Sequence, residues 1–174
     1  MFIDTTPPAE AVPSIVPAQS HRLAPVVLGI DWRKRNIPLS RWRHIRGFAP
    51  GIVPGQQIAF ESLLERDVIA ELRRLRATRM LIEQPITIRY RLEGVVRKYT
   101  PDLFVQFDRL PDVLACKGFE RATLLECKPA DELSKQSELL QRARAAVAEV
   151  MSIPLLVVTS GTLSVARWES ANDN

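Results

Sequence analysis

Two short pieces of the chain carry residue types that can work on a phosphodiester: Tyr99-Thr100-Pro101-Asp102 and Leu125-Glu126-Cys127-Lys128. Side chains two apart on a strand leave it on one face. Glu126 and Lys128 would then stand side by side, carboxylate and ammonium, with Leu125 and Cys127 turned to the opposite, buried face. A hairpin ending in Asp102 would set a second carboxylate beside them. Carboxylates hold Mg²⁺, which activates water and polarises phosphoryl oxygens. A lysine next to them stabilises the developing negative charge or orients the water. The competing explanation is an ion pair between Glu126 and Lys128 on an exposed strand face, worth little in stability. Asp followed by Glu-x-Lys is common by chance, so the surrounding elements must decide.

Those elements follow from the hydrophobic pattern. Ile58, Phe60, Leu63, Leu64, Val68, Leu72 and Leu75 recur at three- and four-residue steps, which predicts an amphipathic helix over about Gln57 to Arg76. Ile86, Ile88, Tyr90 and Leu92 alternate with Thr87, Arg89 and Arg91, the period of a half-buried strand. Glu93-Gly94 supplies a tight turn, and Val95 to Phe107 is expected to return, with Pro101 marking a kink, a bulge or an edge position. Residues 108–121 read as a loop or small insertion. Ala122 to Cys127 is apolar enough for a central strand, Pro129 ends it, and Ala130 to Met151 has the spacing of a second helix. Leu155 to Val158 forms another buried strand, and Leu163 to Trp168 a last strand-like piece. The order helix, hairpin, strand, helix, strand predicts an α/β domain with a mixed sheet. The Glu-x-Lys therefore ends an apolar strand, follows a hairpin ending in Pro-Asp and precedes a long helix, which favours the catalytic reading.

The 174 residues suffice for one domain with a core and hardly for two. No apolar run approaches the roughly 18 residues of a membrane span. The N-terminus lacks the basic start of a signal peptide. Cys116 and Cys127 fit neither a zinc spacing nor a disulfide framework, so the cytoplasm is the expected location. The net charge of +4 is unevenly placed: residues 1–50 hold seven Lys/Arg against three Asp/Glu, and the remainder balances. Arg22, Arg33, Lys34, Arg35, Arg41, Arg43 and Arg46 are interleaved with Trp32, Trp42, His44 and Phe48. A basic arm of this kind suits contact with a DNA backbone, and Arg33, Lys34, Arg35, Arg41, Arg43 and Arg46 are its candidate contacts. A solvated loop packing its tryptophans on the domain is the plainer alternative. The expected layout is a disordered tail over 1–20, an irregular basic arm over 21–55, a catalytic unit over 56–168 and a frayed end over 169–174. No helix-turn-helix or zinc-finger pattern is present, so base-specific readout falls to a partner.

Four pieces carry a family resemblance: Phe60-Glu61-Ser62-Leu63-Leu64-Glu65-Arg66-Asp67, Glu83-Gln84-Pro85, Tyr99-Thr100-Pro101-Asp102 and Glu126-Cys127-Lys128-Pro129. In this order, across roughly residues 35–160, they resemble the N-terminal catalytic domain of TnsA-type transposon endonucleases, members of the PD-(D/E)xK superfamily. The resemblance implies a restriction-endonuclease-like core, a mixed β-sheet flanked by helices, that hydrolyses double-stranded DNA with Mg²⁺, or with Mn²⁺ as a substitute. It also implies a role in transposition, cutting at a transposon's 5′ ends while a DDE transposase handles the 3′ ends, with an AAA+ regulator as further partner. Carried over by position, Glu65 is the helical acidic residue, Asp102 the central aspartate and Lys128 the lysine. Glu126 falls where the family carries Glu or Gln. The implied metal ligands are Asp102, Glu126 and Glu65. Glu61, one helical turn before Glu65, competes for its role. Gln84 is read as supporting the site or capping a strand, and Lys135 and Gln136 as a solvated helix face that could approach DNA. Longer members of the family carry a C-terminal domain for which this chain leaves no room, so that function is expected from another chain unless this is a compact member. The other expectations are a nuclease of the same fold in defence, repair or phage DNA processing, and a non-catalytic DNA-binding subunit.

Overall fold

The structure, a computed structural model, describes residues 25–32 and 45–160, with the side chains of the last helix described in part. In chain order the elements are β1 (Val26–Asp31), β2 (Gly47–Pro50), β3 (Gln57–Phe60), α1 (Leu63–Arg74), β4 (Thr78–Glu83), β5 (Thr87–Leu92), β6 (Val95–Tyr99), β7 (Leu103–Phe107), α2 (Asp112–Ala115), β8 (Ala122–Cys127), a 3₁₀ turn (Ala130–Glu132), α3 (Leu133–Met151) and β9 (Leu155–Val158). The architecture is mixed α/β. A four-stranded sheet has the order β4-β7-β8-β9, with β8 antiparallel to β7 and parallel to β9. A three-stranded antiparallel sheet has the order β1-β5-β6, and β2 and β3 form a separate pair. None of the described helices is long and apolar enough to cross a membrane.

β8 is central because it is apolar on both faces, as strands covered on both sides must be. Leu125 and Cys127 join the core that Val68, Ile69 and Leu72 of α1 build with Leu81, Leu103 and Val105. Leu124, from the other face, packs with Ile86, Ile88, Val147 and Leu155. Glu126 shares the face of Leu124 and is only 5% exposed.

Four local expectations change. The stripe from Ile58 to Leu75 is not one helix: Gln57–Phe60 is a strand, and the helix begins at Leu63. Ile58 and Phe60 are two apart, which is a strand's period and would put them on nearly opposite sides of a helix. Ser62 sets the boundary, its Oγ accepting the Glu65 N–H at 3.1 Å as an N-cap. Gly47, opposite Phe60, leaves room for the ring, since a Cβ there would come within 2.7 Å of it. The segment expected to be irregular supplies two strands, β1 pairing with β5 and β2 with β3. Thr78–Glu83 is a further strand, whose alternation was hidden by the bulge between Thr78 and Met80. The single returning strand from Val95 to Phe107 is in fact two, β6 and β7, in different sheets. Pro101, with no N–H to donate, stands at the break. The tail, residues 33–44 and everything after 160, including the strand-like Leu163–Trp168, lie outside the described residues.

Candidate active site

The break at Pro101 gives Asp102 its position. Its backbone N–H donates to the Leu125 carbonyl at 3.0 Å, and its carbonyl accepts the Gln84 N–H at 2.8 Å. Asp102 is thereby stitched between the ends of β4 and β8. Its carboxylate Oδ2 accepts the backbone N–H of Cys127 at 2.7 Å. The side chain thus lies against the stretch of β8 that carries Glu126 and leads into Lys128.

Lys128 follows the last residue of β8, yet its N–H donates to the Val158 carbonyl at 3.0 Å, which extends the ladder with β9 by one step. The strand geometry therefore persists through Lys128, and its Nζ lies 2.9 Å from Glu126 Oε1. The expectation that these two side chains share a face holds. This is not a pair on an open strand surface, because the Glu126 side chain is 7% exposed and that of Lys128 26%. The second Glu126 oxygen, Oε2, accepts the Tyr99 hydroxyl at 2.7 Å.

Glu65 occupies the first turn of α1. Its Oε1 accepts the Ser62 hydroxyl at 2.9 Å and its Oε2 the Glu61 N–H at 2.8 Å. This is a reciprocal cap of the capping-box kind, shifted by one residue on the backbone side. Glu61 gives its carboxylate to Arg46, 3.7 Å away.

Electrostatics ties the four residues together. Burial, with the Glu126 charge next, pushes the Asp102 carboxyl up to about 8, against the pull of the Cys127 N–H and Lys128; Glu65 adds to the rise. Burial also raises Glu65, opposed by its bonds from Glu61 and Ser62, and Lys128 helps to keep it ionised. Burial alone would lower Lys128, but the hydrogen bond and charge of Glu126, with Asp102 and Glu132, hold it above its ordinary value. Burial and the Glu126 charge push the Tyr99 phenol far up, so it remains a donor. The Cys127 thiol is raised by burial and by the same three carboxylates.

The donor set matches a hard divalent cation in kind: carboxylate oxygens whose mutual repulsion a dication would lift. Among the described residues no group of three acidic, histidine or cysteine side chains is placed to hold a metal ion. Both oxygens of Glu65 serve the helix cap, and those of Glu126 serve Lys128 and Tyr99.

The fold thus brings Glu65, Asp102, Glu126 and Lys128 within electrostatic reach of one another. Of the expected DNA contacts, Arg33, Lys34, Arg35, Arg41 and Arg43 lie outside the described residues, and Arg46 stands at Glu61, near the start of α1. The side chains of Lys135 and Gln136 likewise fall outside those described. Gln84 supports the site through its backbone, in a left-handed conformation (φ 42°). Sequence reasoning missed Tyr99. A signal existed in the strand phase: Tyr99 pairs with Ile88, which places it on the inward face of β6. No protein-family model matches the chain, and no curated protein matches it.

Proposed function

We propose that this chain is a divalent-metal-dependent DNA endonuclease built on a restriction-endonuclease-like core. The observation that carries the reading is the junction of Asp102 with the end of β8: an ion pair between buried Glu126 and half-buried Lys128, one residue either side of the Cys127 N–H that holds Asp102. A hydrophobic strand rarely gives up interior positions to charge without a use for it. Asp102 and Glu126, with Glu65 from α1, are the residues that would hold Mg²⁺ or Mn²⁺. The bound ion would supply an activated water and neutralise phosphoryl charge. Lys128, partly open to solvent, holds a positive charge beside the place where phosphate charge develops. The Cys127 N–H orients Asp102, and Tyr99 orients Glu126. On the resemblance described above, the biological role is 5′-end cutting in a heteromeric transposase, beside a DDE transposase and an AAA+ regulator. The same chemistry would serve a defence, repair or phage nuclease.

A second reading has its own support. The hydrogen bonds that satisfy Glu65 and Glu126 also suit a purely structural network in a non-catalytic DNA-binding subunit. Incubating the purified chain with supercoiled plasmid separates the two. Nicking or linearisation that requires Mg²⁺ or Mn²⁺ and stops with a chelator supports the enzyme; intact plasmid with either metal supports the structural network.

A further inference from the structure

The three-stranded sheet carries a charge arrangement that its own folding does not explain. β5 buries Ile88, Tyr90 and Leu92, so Arg89 and Arg91 project, exposed, from its other face. Lys98 of β6 is the direct partner of Arg89. The three cations therefore share one face, and two of them face each other across neighbouring strands, where like charges destabilise a sheet. On the other flank, Gly29 of β1 is the partner of Arg89. The Arg89 guanidinium lies close over it, Nη2 being 3.3 Å from where a Cβ would stand. Glycine weakens a strand interior, and here it leaves space for the arginine. Arg97, exposed on edge strand β6, is opposite Tyr90 and two residues before Tyr99, so it belongs to the other face of the sheet.

The described acidic residues of this sheet and its hairpin turn are Asp31, opposite Thr87 on β1, and Glu93. Glu93 lies at the turn and is bonded by Arg142 of α3 at 3.0 Å. Among the described residues no ion pair involves Arg89, Arg91, Arg97 or Lys98. A sheet face that bears the cost of like-charge pairing, with no ion pair to these cations among the described residues, fits a polyanion. The same hairpin ends at Tyr99, whose hydroxyl is on Glu126.

We propose that the β5–β6 face, centred on Arg89, Arg91 and Lys98, is a binding surface for the phosphate backbone of duplex DNA. The proposal rests on the nuclease reading for its choice of polyanion. The test uses the full chain with Arg89→Gln, Arg91→Gln and Lys98→Gln combined; exposed glutamines keep the stems and remove the charges. Binding of a random-sequence duplex is followed by fluorescence anisotropy in chelator across a salt series, with thermal unfolding as a folding control. Loss of about three phosphate contacts should flatten the slope of log K against log salt by roughly 2.7 and weaken low-salt binding at least about tenfold. A folded variant with an unchanged slope overturns the proposal, whatever the nuclease does. So does a variant that loses affinity for phosphatidylserine vesicles while keeping wild-type affinity for DNA. Plasmid cleavage by the wild type is scored separately: no cleavage with a flattened slope ends the nuclease reading and leaves the DNA surface standing.

Discussion

The Asp102 carboxylate accepts its hydrogen bond from the backbone N–H of Cys127, the residue between Glu126 and Lys128. Through that bond a side chain placed by one strand break is held in register with the two charges at the end of β8. The four-stranded sheet is thus the frame of the site, and α1 contributes Glu65 from outside it.

The pH dependence of stability should report on Asp102. Its carboxyl is pushed up from the ordinary value of 3.8 to about 8 by burial and the Glu126 charge. Between those values the folded state binds the extra proton, so stability falls as pH rises through this window, by at most about 1.4 kcal/mol per pH unit. Denaturant melts of wild type and Asp102→Asn across the window should show a shallower fall in the variant. Mg²⁺ should flatten the wild-type fall, because it favours the ionised carboxylate. Equal slopes for the two proteins would remove Asp102 as the titrating group.

Tyr99→Phe removes the hydroxyl that holds Glu126 Oε2. If Glu126 is a metal ligand, this partner should matter by about 10–100-fold in metal affinity or activity. The readout is the Mg²⁺ concentration that gives half-maximal cleavage, which should rise. An unaltered requirement would mean that Tyr99 only packs.

Glu65 can be a cap, a ligand or both, and two substitutions distinguish the roles. Ser62→Ala deletes the N-cap of α1 and should cost about 1 kcal/mol of stability. Glu65→Gln keeps an oxygen for the Glu61 N–H and an amide N–H that the Ser62 hydroxyl oxygen can accept, but loses the charge, so stability should hold while cleavage falls at least about tenfold. Wild-type cleavage by Glu65→Gln would leave Glu65 as a cap alone.

Much of the frame was legible where periodicity was unambiguous. The alternation from Ile86 to Leu92 and the apolar run from Ala122 to Cys127 became β5 and β8 over nearly the expected residues. So did the placement of Glu126 and Lys128 on one face. Legibility failed where a strand-spaced pair ran directly into a helical stripe, as at Ile58 and Phe60, or where a bulge erased alternation, as near Met80. β1 was hidden for another reason: Val26 and Leu28 are exposed, so its residues lack the hydrophobic contrast that marks a strand. The transfer of chain from one sheet to another at Pro101 is a tertiary choice, and a proline announces only the interruption. The hydrogen bond from Tyr99 to Glu126 joins residues 27 positions apart in the chain, a separation that local pattern does not span.

The central claim is that Asp102, Glu126 and Lys128 cut DNA, and Lys128→Ala tests it most directly. Lys128 is 26% exposed at the end of its strand, so the truncation should leave a folded protein. Cleavage of supercoiled plasmid with Mg²⁺ or Mn²⁺ is compared for wild type and variant, alongside duplex binding in chelator. The account predicts cleavage by the wild type, at least about a hundredfold slower cleavage by the variant, and nearly unchanged binding. Cleavage by Lys128→Ala at the wild-type rate would contradict it.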